Sequence, residues 1–273
     1  HGGSGAEIGN TQRDSERLRT DEGKFQNDPS VCGIGSFGFD GAGLAGGSGH
    51  LGLTGEIVGH SDTGTGEKHI GQRHQSRTGR TDAGAHAMHQ IANFHCKSEM
   101  PAGEILAQLR RYLPGDIGIY SCEDVHDRFH ARLNAKRKTY CYRIWNSNAP
   151  CVFENRFAVV LPEKLDLQAM EEAAEYLLGE HDFSAFCAAK SKGKSTVRRI
   201  DAIKIIRVDR EVRFFFTGNG FLYNMVRILA GTLVEVGLSQ REAESIPELY
   251  GKARSEAGIL MPPNGLCLME VTY

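Results

Sequence analysis

The stretch Gly79-Arg80-Thr81-Asp82-Ala83-Gly84-Ala85-His86-Ala87 constrains this chain more than any other. It sets an acid, a guanidinium, a hydroxyl and an imidazole between two glycines. In the residues that follow, Met88, Ala92, Phe94 and Cys96 fall on one face and His89, Asn93 and His95 on the other, the period of a half-buried strand. The spacing therefore predicts Asp82 in a glycine-punctuated turn that leads into a strand. Glycine admits backbone angles closed to other residues and lets a second segment approach closely. A cation such as Arg80 beside a carboxylate favours its charged form, and a carboxylate so held can act as nucleophile or base. An ordinary Asp-Gly surface loop has the same spacing.

From Gly79 onward the pattern is that of an α+β domain. Ala102 to Leu113 reads as an amphipathic helix with Ile105, Leu106, Leu109 and Leu113 on one face, stopped by Pro114-Gly115. Ile117 to Val125 and Thr139 to Trp145 read as strands, the second turning Tyr140, Tyr142 and Ile144 one way. Asp166 to Leu178 reads as a helix closed by Gly179. Ile200 to Val208 and Val212 to Thr217 read as a hairpin, and Leu222 to Val236 as an apolar helix on which Tyr223 and Arg227 share a face. Ser239-Gln240-Arg241-Glu242 has capping-box spacing and predicts a further helix, and Gly265 to Tyr273 predicts a last strand. The order predicts a mixed or antiparallel sheet with helices on one side.

Residues 1 to 78 read differently. They are rich in glycine and poor in periodic apolar residues, which predicts irregular structure. Gly47-Ser48-Gly49-His50-Leu51-Gly52 fits G-x-G-x-x-G, but with no strand before it and no helix after it the match reads as chance. His60, His69 and His74 lack a metal-ligand spacing, and no metal or cofactor is expected.

No apolar run reaches the roughly 20 residues that span a bilayer, and no signal-peptide pattern opens the chain. The 7 cysteines are scattered without a C-x-x-C pair, which fits reduced thiols in a cytoplasmic protein. The net charge of −2 does not suggest a nucleic-acid binder, but the cations are clustered. Arg128, Arg132, Lys136, Arg137, Lys138 and Arg143 form one group, and Lys190, Lys192, Lys194, Arg198 and Arg199 another. A locally basic face can neutralise phosphates on a near-neutral protein; a solvated charged surface looks the same in sequence.

Two further segments could carry chemistry. Arg137 to Arg143 is a basic strand with two tyrosines, either a half-buried core strand or a platform on which a nucleobase stacks. In Gly218 to Arg227, Arg227 stands on an otherwise apolar helix. A cation near a core needs an anion, and Asp82 is the candidate, unless Arg227 lies on a polar stripe at the surface.

These segments, in order, resemble the TruA-type tRNA pseudouridine synthases. Gly79 to Ala87 is similar to the signature G-R-T-D-A-G-V-H-A, with Ala85 for Val. Phe129-His130-Ala131-Arg132 and Lys138 to Tyr142 resemble F-H-A-R and (K/R)-x-Y-x-Y. Leu178 to Phe186 resembles L-x-G-x-H-D-F-x-x-F, Thr196 to Ile200 resembles T-x-R-x-I, Phe221 to Arg227 resembles F-L-x-x-M-V-R, and Pro263 to Leu268 resembles P-x-x-G-L-x-L. The resemblance covers about residues 76 to 273.

It implies a pseudouridine synthase fold with two subdomains, here 79–127 and 128–273, and the site in the cleft between them. It implies an isomerase that turns uridine into pseudouridine in the tRNA anticodon stem-loop, at positions 38, 39 and 40, as a homodimer without cofactor. Asp82 would be the essential carboxylate, Tyr140 would pack on the uracil and help move the C5 proton, and Arg227 would pair with Asp82. Arg80, Thr81, His86, Tyr140 and Leu266 would bind the flipped nucleotide. Arg128, Arg132, Lys136, Arg137, Lys138 and Arg198 would contact RNA. A target base has to leave the stack to be reached. The family's opening Y-D-G-T strand, F-x-G-x-Q-x-Q segment and following helix are missing from residues 1 to 78. A reading-frame shift upstream of Gly79 or a replaced N-terminus would produce that junction, and a replaced N-terminus would leave the sheet incomplete. A catalytically impaired RNA-binding relative, or a synthase acting on another RNA, would carry the same motifs.

Overall fold

A computed structural model describes residues 51–60, 76–78, 82–96, 100–126, 128–188 and 194–273. The densest part is built on β5 (Arg137–Trp145), whose alternation turns Tyr140, Tyr142 and Ile144 to one face with 8%, 0% and 0% exposure. Beside it, the hairpin of β8 (Val197–Val208) and β9 (Glu211–Gly218) turns over Asp209-Arg210, with Asp209 at φ 51°. Val212, Phe214 and Phe216 of β9 are fully buried on the same face as the β5 tyrosines. Helix α3 (Met225–Gly237) covers that face and is apolar almost all round, as a helix inside a core must be. Helix α2 (Leu167–Glu175) starts at Asp166, whose carboxylate accepts from the Ala169 N–H, and buries Met170, Ala173 and Ala174 against the same cluster.

The sheet continues in the other direction through β10 (Leu266–Thr272), which runs antiparallel to β5 and parallel to β3 (His86–Cys96). β3 pairs with β1 (Leu51–His60), and β1 with β4 (Ile117–Val125). Short strands β2 (Ser76–Arg77) and β6 (Val159–Val160) join β3 and β5, and β7 (Gly179–Asp182) ends the sheet beyond β8. The order β4-β1-β3-β10-β5-β9-β8-β7 is a mixed sheet in an α+β fold. Helix α1 (Ala102–Tyr112) guards the β4 edge: Arg110 donates from Nε and Nη2 to the carbonyls of Ile119 and Tyr120. The other edge strand, β7, has only 4 residues. Both arrangements blunt a free edge. Among the described residues no helix is long and apolar enough to cross a membrane.

Four expectations are corrected. Residues 51–60 form a ten-residue strand, with a register shift between Ile57 and Gly59, so the sheet has no gap between β3 and β4. Of the G-x-G-x-x-G match, Leu51 and Gly52 lie in this strand, and the residues before them lie outside the described residues. On β3, Asn93 of the expected polar face is 5% exposed and its Oδ1 accepts the Ala131 N–H, while His89 of the same face is exposed. Tyr223 lies ahead of α3, half-exposed, while Arg227 on the helix is buried. Ser239-Gln240-Arg241-Glu242 does not start a helix. Ser239, at φ 55°, closes α3: its N–H donates to Val236 and that of Gln240 to Glu235, the paired bonds of a Schellman ending. The 3₁₀ segment Ala243–Leu249 follows, with Pro247 inside it.

Candidate active site

The turn that carries Asp82 is closed by the Ala85 N–H donating to the Asp82 carbonyl at 3.0 Å. Gly84 is needed twice. Its φ is +85°, and a Cβ there would come within 3.2 Å of Pro263 Cγ. The chain then enters β3, where His86 and Ala87 stand beside Cys267 and Leu268 of β10. On the other side of β10, Leu266 faces Tyr142 and Leu268 faces Tyr140. One strand thus lies between the Asp82 turn and the Tyr140 strand and sets their spacing.

Arg227 comes from the first turn of α3. Its Nη1 donates to Asp82 Oδ2 at 2.5 Å and to Asn224 Oδ1 at 3.1 Å, and its Nε donates to the Met261 carbonyl at 2.6 Å. The Arg227 side chain is 9% exposed and that of Asp82 25%. A guanidinium so buried requires an anion, and the amino end of a helix favours one. Among the described residues the hydrogen bond to the Asp82 carboxylate is the one Arg227 makes to Oδ2.

Tyr140 lies edge-on to Phe221, ring centroids 5.2 Å apart. Burial pushes its phenol up to about 12, against a smaller downward pull from the Arg132 charge, so it keeps its proton at neutral pH. Leu266 is 8% exposed, and its cross-strand neighbour Tyr142 donates its hydroxyl to the Pro262 carbonyl at 2.7 Å. The segment 261–266 therefore touches Arg227, Tyr142 and the Asp82 turn in succession.

Arg80 and Thr81 lie outside the described residues. His86, expected at the substrate, is 3% exposed; its Nε2 bonds the Arg156 carbonyl at 2.8 Å and its ring packs edge-on against Phe157. Of the expected RNA contacts, Arg128, Arg132, Lys136 and Arg137 are exposed and Arg198 is partly exposed. Lys138 departs from the expectation. It is 9% exposed and its Nζ donates to the Thr78 carbonyl at 2.5 Å. Burial and the nearby Arg132 charge lower its ammonium to about 8. Even spacing along a basic run does not reveal which cation the strand turns inward.

Sequence reasoning missed Asn224, Phe221 and the Met261 carbonyl. Asn224 adopts φ 62° just before α3, a conformation asparagine tolerates better than most residues. Its place three residues before Arg227 was the available signal. The Met261 contact is made by backbone and leaves no mark in side-chain pattern.

A family model described as tRNA pseudouridine synthase matches residues 173–273. The "tRNA pseudouridine synthase A 2" of Bacillus cereus is 45% identical over 195 residues, which cover 71% of this chain and 80% of that protein. The "tRNA pseudouridine synthase A" of Acetivibrio thermocellus is 44% identical over 195 residues with the same coverage. The "tRNA pseudouridine synthase A 1" of Clostridium tetani is 43% identical over 196 residues, again 71% and 80%. A solved Cbf5-Nop10-Gar1 complex matches at TM-score 0.31 and 12% identity, over 73% of this chain and 40% of that one, too slight a likeness to argue from. With relatives this similar over most of their length, the chain belongs to the tRNA pseudouridine synthase A family, whose members are isomerases.

Proposed function

We propose that this isomerase converts uridine to pseudouridine in the anticodon stem-loop of tRNA. The observation that carries the reading is the Asp82–Arg227 pair: a carboxylate held through Oδ2 by a buried guanidinium. The reaction breaks the N1–C1′ bond of uridine, turns the uracil and joins C1′ to C5. The C5 proton leaves and N1 gains one, so atoms balance without redox chemistry. Asp82 is the group that acts on the ribose and uracil, and Arg227 orients it. Tyr140 supplies an aromatic wall. Tyr140 also helps move the C5 proton. Leu266 forms the apolar side of the base pocket, and Arg80 and Thr81 meet the flipped nucleotide. Arg128, Arg132, Lys136, Arg137 and Arg198 engage phosphates. Residues 79–127 and 128–273 act as two subdomains with the nucleotide between them, and the protein works in the cytoplasm as a homodimer.

The test uses unmodified tRNA transcripts incubated with the protein or with Asp82→Ala, followed by carbodiimide-block primer extension. Pseudouridine in the anticodon arm with the wild type alone is the expected result. Product elsewhere would replace the proposed target. No product from a folded, tRNA-binding wild type would overturn catalysis and leave an RNA-binding protein.

A further inference from the structure

Two motif turns at the site are tied to one stretch of backbone far from both in sequence. The carbonyl of Asn155 accepts from Asn264 Nδ2 at 3.2 Å and that of Ala158 accepts from the same nitrogen at 2.9 Å. The carbonyl of Arg156, between them, bonds His86 Nε2 at 2.8 Å. A carbonyl can only accept, so Nε2 of His86 carries a proton and is committed to this bond. The 154–158 stretch is itself anchored. Glu154 accepts from Arg143 at 2.7 Å, the N–H groups of Phe157 and Ala158 return to the Glu154 carbonyl, and β6 pins the far end by pairing with β5. His86 opens β3 directly after the turn that holds Asp82. Asn264 lies between Pro263, which packs on Gly84, and the Leu266 strand.

We propose that His86 and Asn264 are positioning residues, which grip the 155–158 backbone to fix the Asp82 turn against the Leu266 wall. Neither has to touch the substrate. The bracket joins the Asp82 side of the site to the Leu266 side through backbone acceptors, so its geometry is independent of the side chains at 155, 156 and 158. A misplacement of about 1 Å at a reacting group can cost on the order of 100-fold in rate, and that sensitivity gives the bracket its function. The kinetic part of this inference rests on the pseudouridine-synthase reading; the exchange part below does not.

The experiment compares Asn264→Ala, His86→Leu and His86→Gln with the wild type. Single-turnover and steady-state rates are measured on tRNA transcripts, and amide hydrogen exchange is followed by mass spectrometry. The expected result for Asn264→Ala and His86→Leu is a fall in kcat of roughly 10- to 100-fold with KM within about twofold. Glutamine at 86 keeps an N–H donor and is expected to restore most of kcat, which also separates lost positioning from failure to fold. Exchange in the peptide holding residues 82–88 is expected to quicken in Asn264→Ala and His86→Leu while the α3 peptide stays as in the wild type. A raised KM with kcat intact would overturn the proposal in favour of direct RNA contact. So would unchanged kcat and unchanged exchange, or a His86→Gln protein no better than His86→Leu. A wild type without activity, whose variants still show the local exchange change, would sustain the bracket and overturn the catalytic reading instead.

Discussion

Two arginines on opposite sides of β5 meet carboxylates in different ways. Arg143 forms a two-pronged pair with Glu211, at 3.1 and 2.5 Å, and adds Glu154 at 2.7 Å; Arg213 completes the group from Nε to Glu211 at 2.7 Å. The Glu211 side chain is only 6% exposed. Its burial raises the carboxyl, but hydrogen bonds and charge from Arg143 and Arg213 outweigh this and hold it below the usual glutamate range. Arg227, by contrast, has one carboxylate, one side-chain amide and one carbonyl, and its acid is a quarter exposed. Both oxygens of Glu211 are occupied by guanidinium groups, and this cluster fastens β5, β9 and the 154–158 loop. Among the described residues the Asp82 pair uses one oxygen, Oδ2, and the proposed reaction would use the other. The Glu211 cluster satisfies both oxygens of its acid from within the fold, whereas the Asp82 pair is the more exposed of the two.

Breaking each pair should separate these roles. Asp82→Asn is expected to lower kcat by roughly 1,000-fold or more. Its loss of stability should stay under about 2 kcal/mol, because Arg227 keeps the Met261 and Asn224 acceptors; single-turnover rates and urea melts read the two effects. Glu211→Gln should do the reverse, costing about 3 kcal/mol of stability while kcat per folded molecule falls far less than in Asp82→Asn. The sign with pH follows from the lowered carboxyl. The stability Glu211 supplies is present above the unfolded glutamate range and is lost as pH falls through the folded value, so wild type and variant should converge in acid melts.

Lys138 extends the comparison to a buried cation whose partner, among the described residues, is a backbone carbonyl. Its folded value of about 8 lies below the ordinary 10.5, so the unfolded chain binds the extra proton between those values and stability should rise with pH across them. Urea melts at pH 7.5 and 10 should show the wild type gaining up to about 3 kcal/mol relative to Lys138→Met. The smallest effects are expected at the exposed cations. Arg132→Ala and Arg198→Ala should each reduce the slope of log affinity for tRNA against log salt by about 1, with stability nearly unchanged. Lys138→Met should leave that slope alone.

The strands β5, β8 and β9 and the helix α3 were legible because each buries one face, or all of itself, at the period of its own geometry. The partner of Arg227 was legible for a related reason: a lone cation on an apolar helix calls for an anion, even one 145 residues away. β1 was not, because Gly52, Gly55 and Gly59 interrupt its apolar pattern and the sheet around it supplies the pairing. Ser239 was misread because serine can serve a helix start, while here a positive φ and two backbone bonds make it an ending. The inward turn of Lys138 depends on the Thr78 carbonyl, which no side-chain pattern announces, and the same holds for the carbonyls gripped by His86 and Asn264.

β10 bears on how the molecule is assembled. It is made after every other strand described, yet it lies in the middle of the sheet, joined to β3 on one side and β5 on the other. β3 and β5 do not pair with each other in the sheet, so their connection through it requires that Leu266–Thr272 has been synthesised. Only when Leu266–Thr272 slots between them do the Asp82 turn and the tyrosine strand take their mutual distance. Pairings so remote in sequence are slow to form. A chain without Leu266–Thr272 would have no strand to space the Asp82 turn from the tyrosine strand.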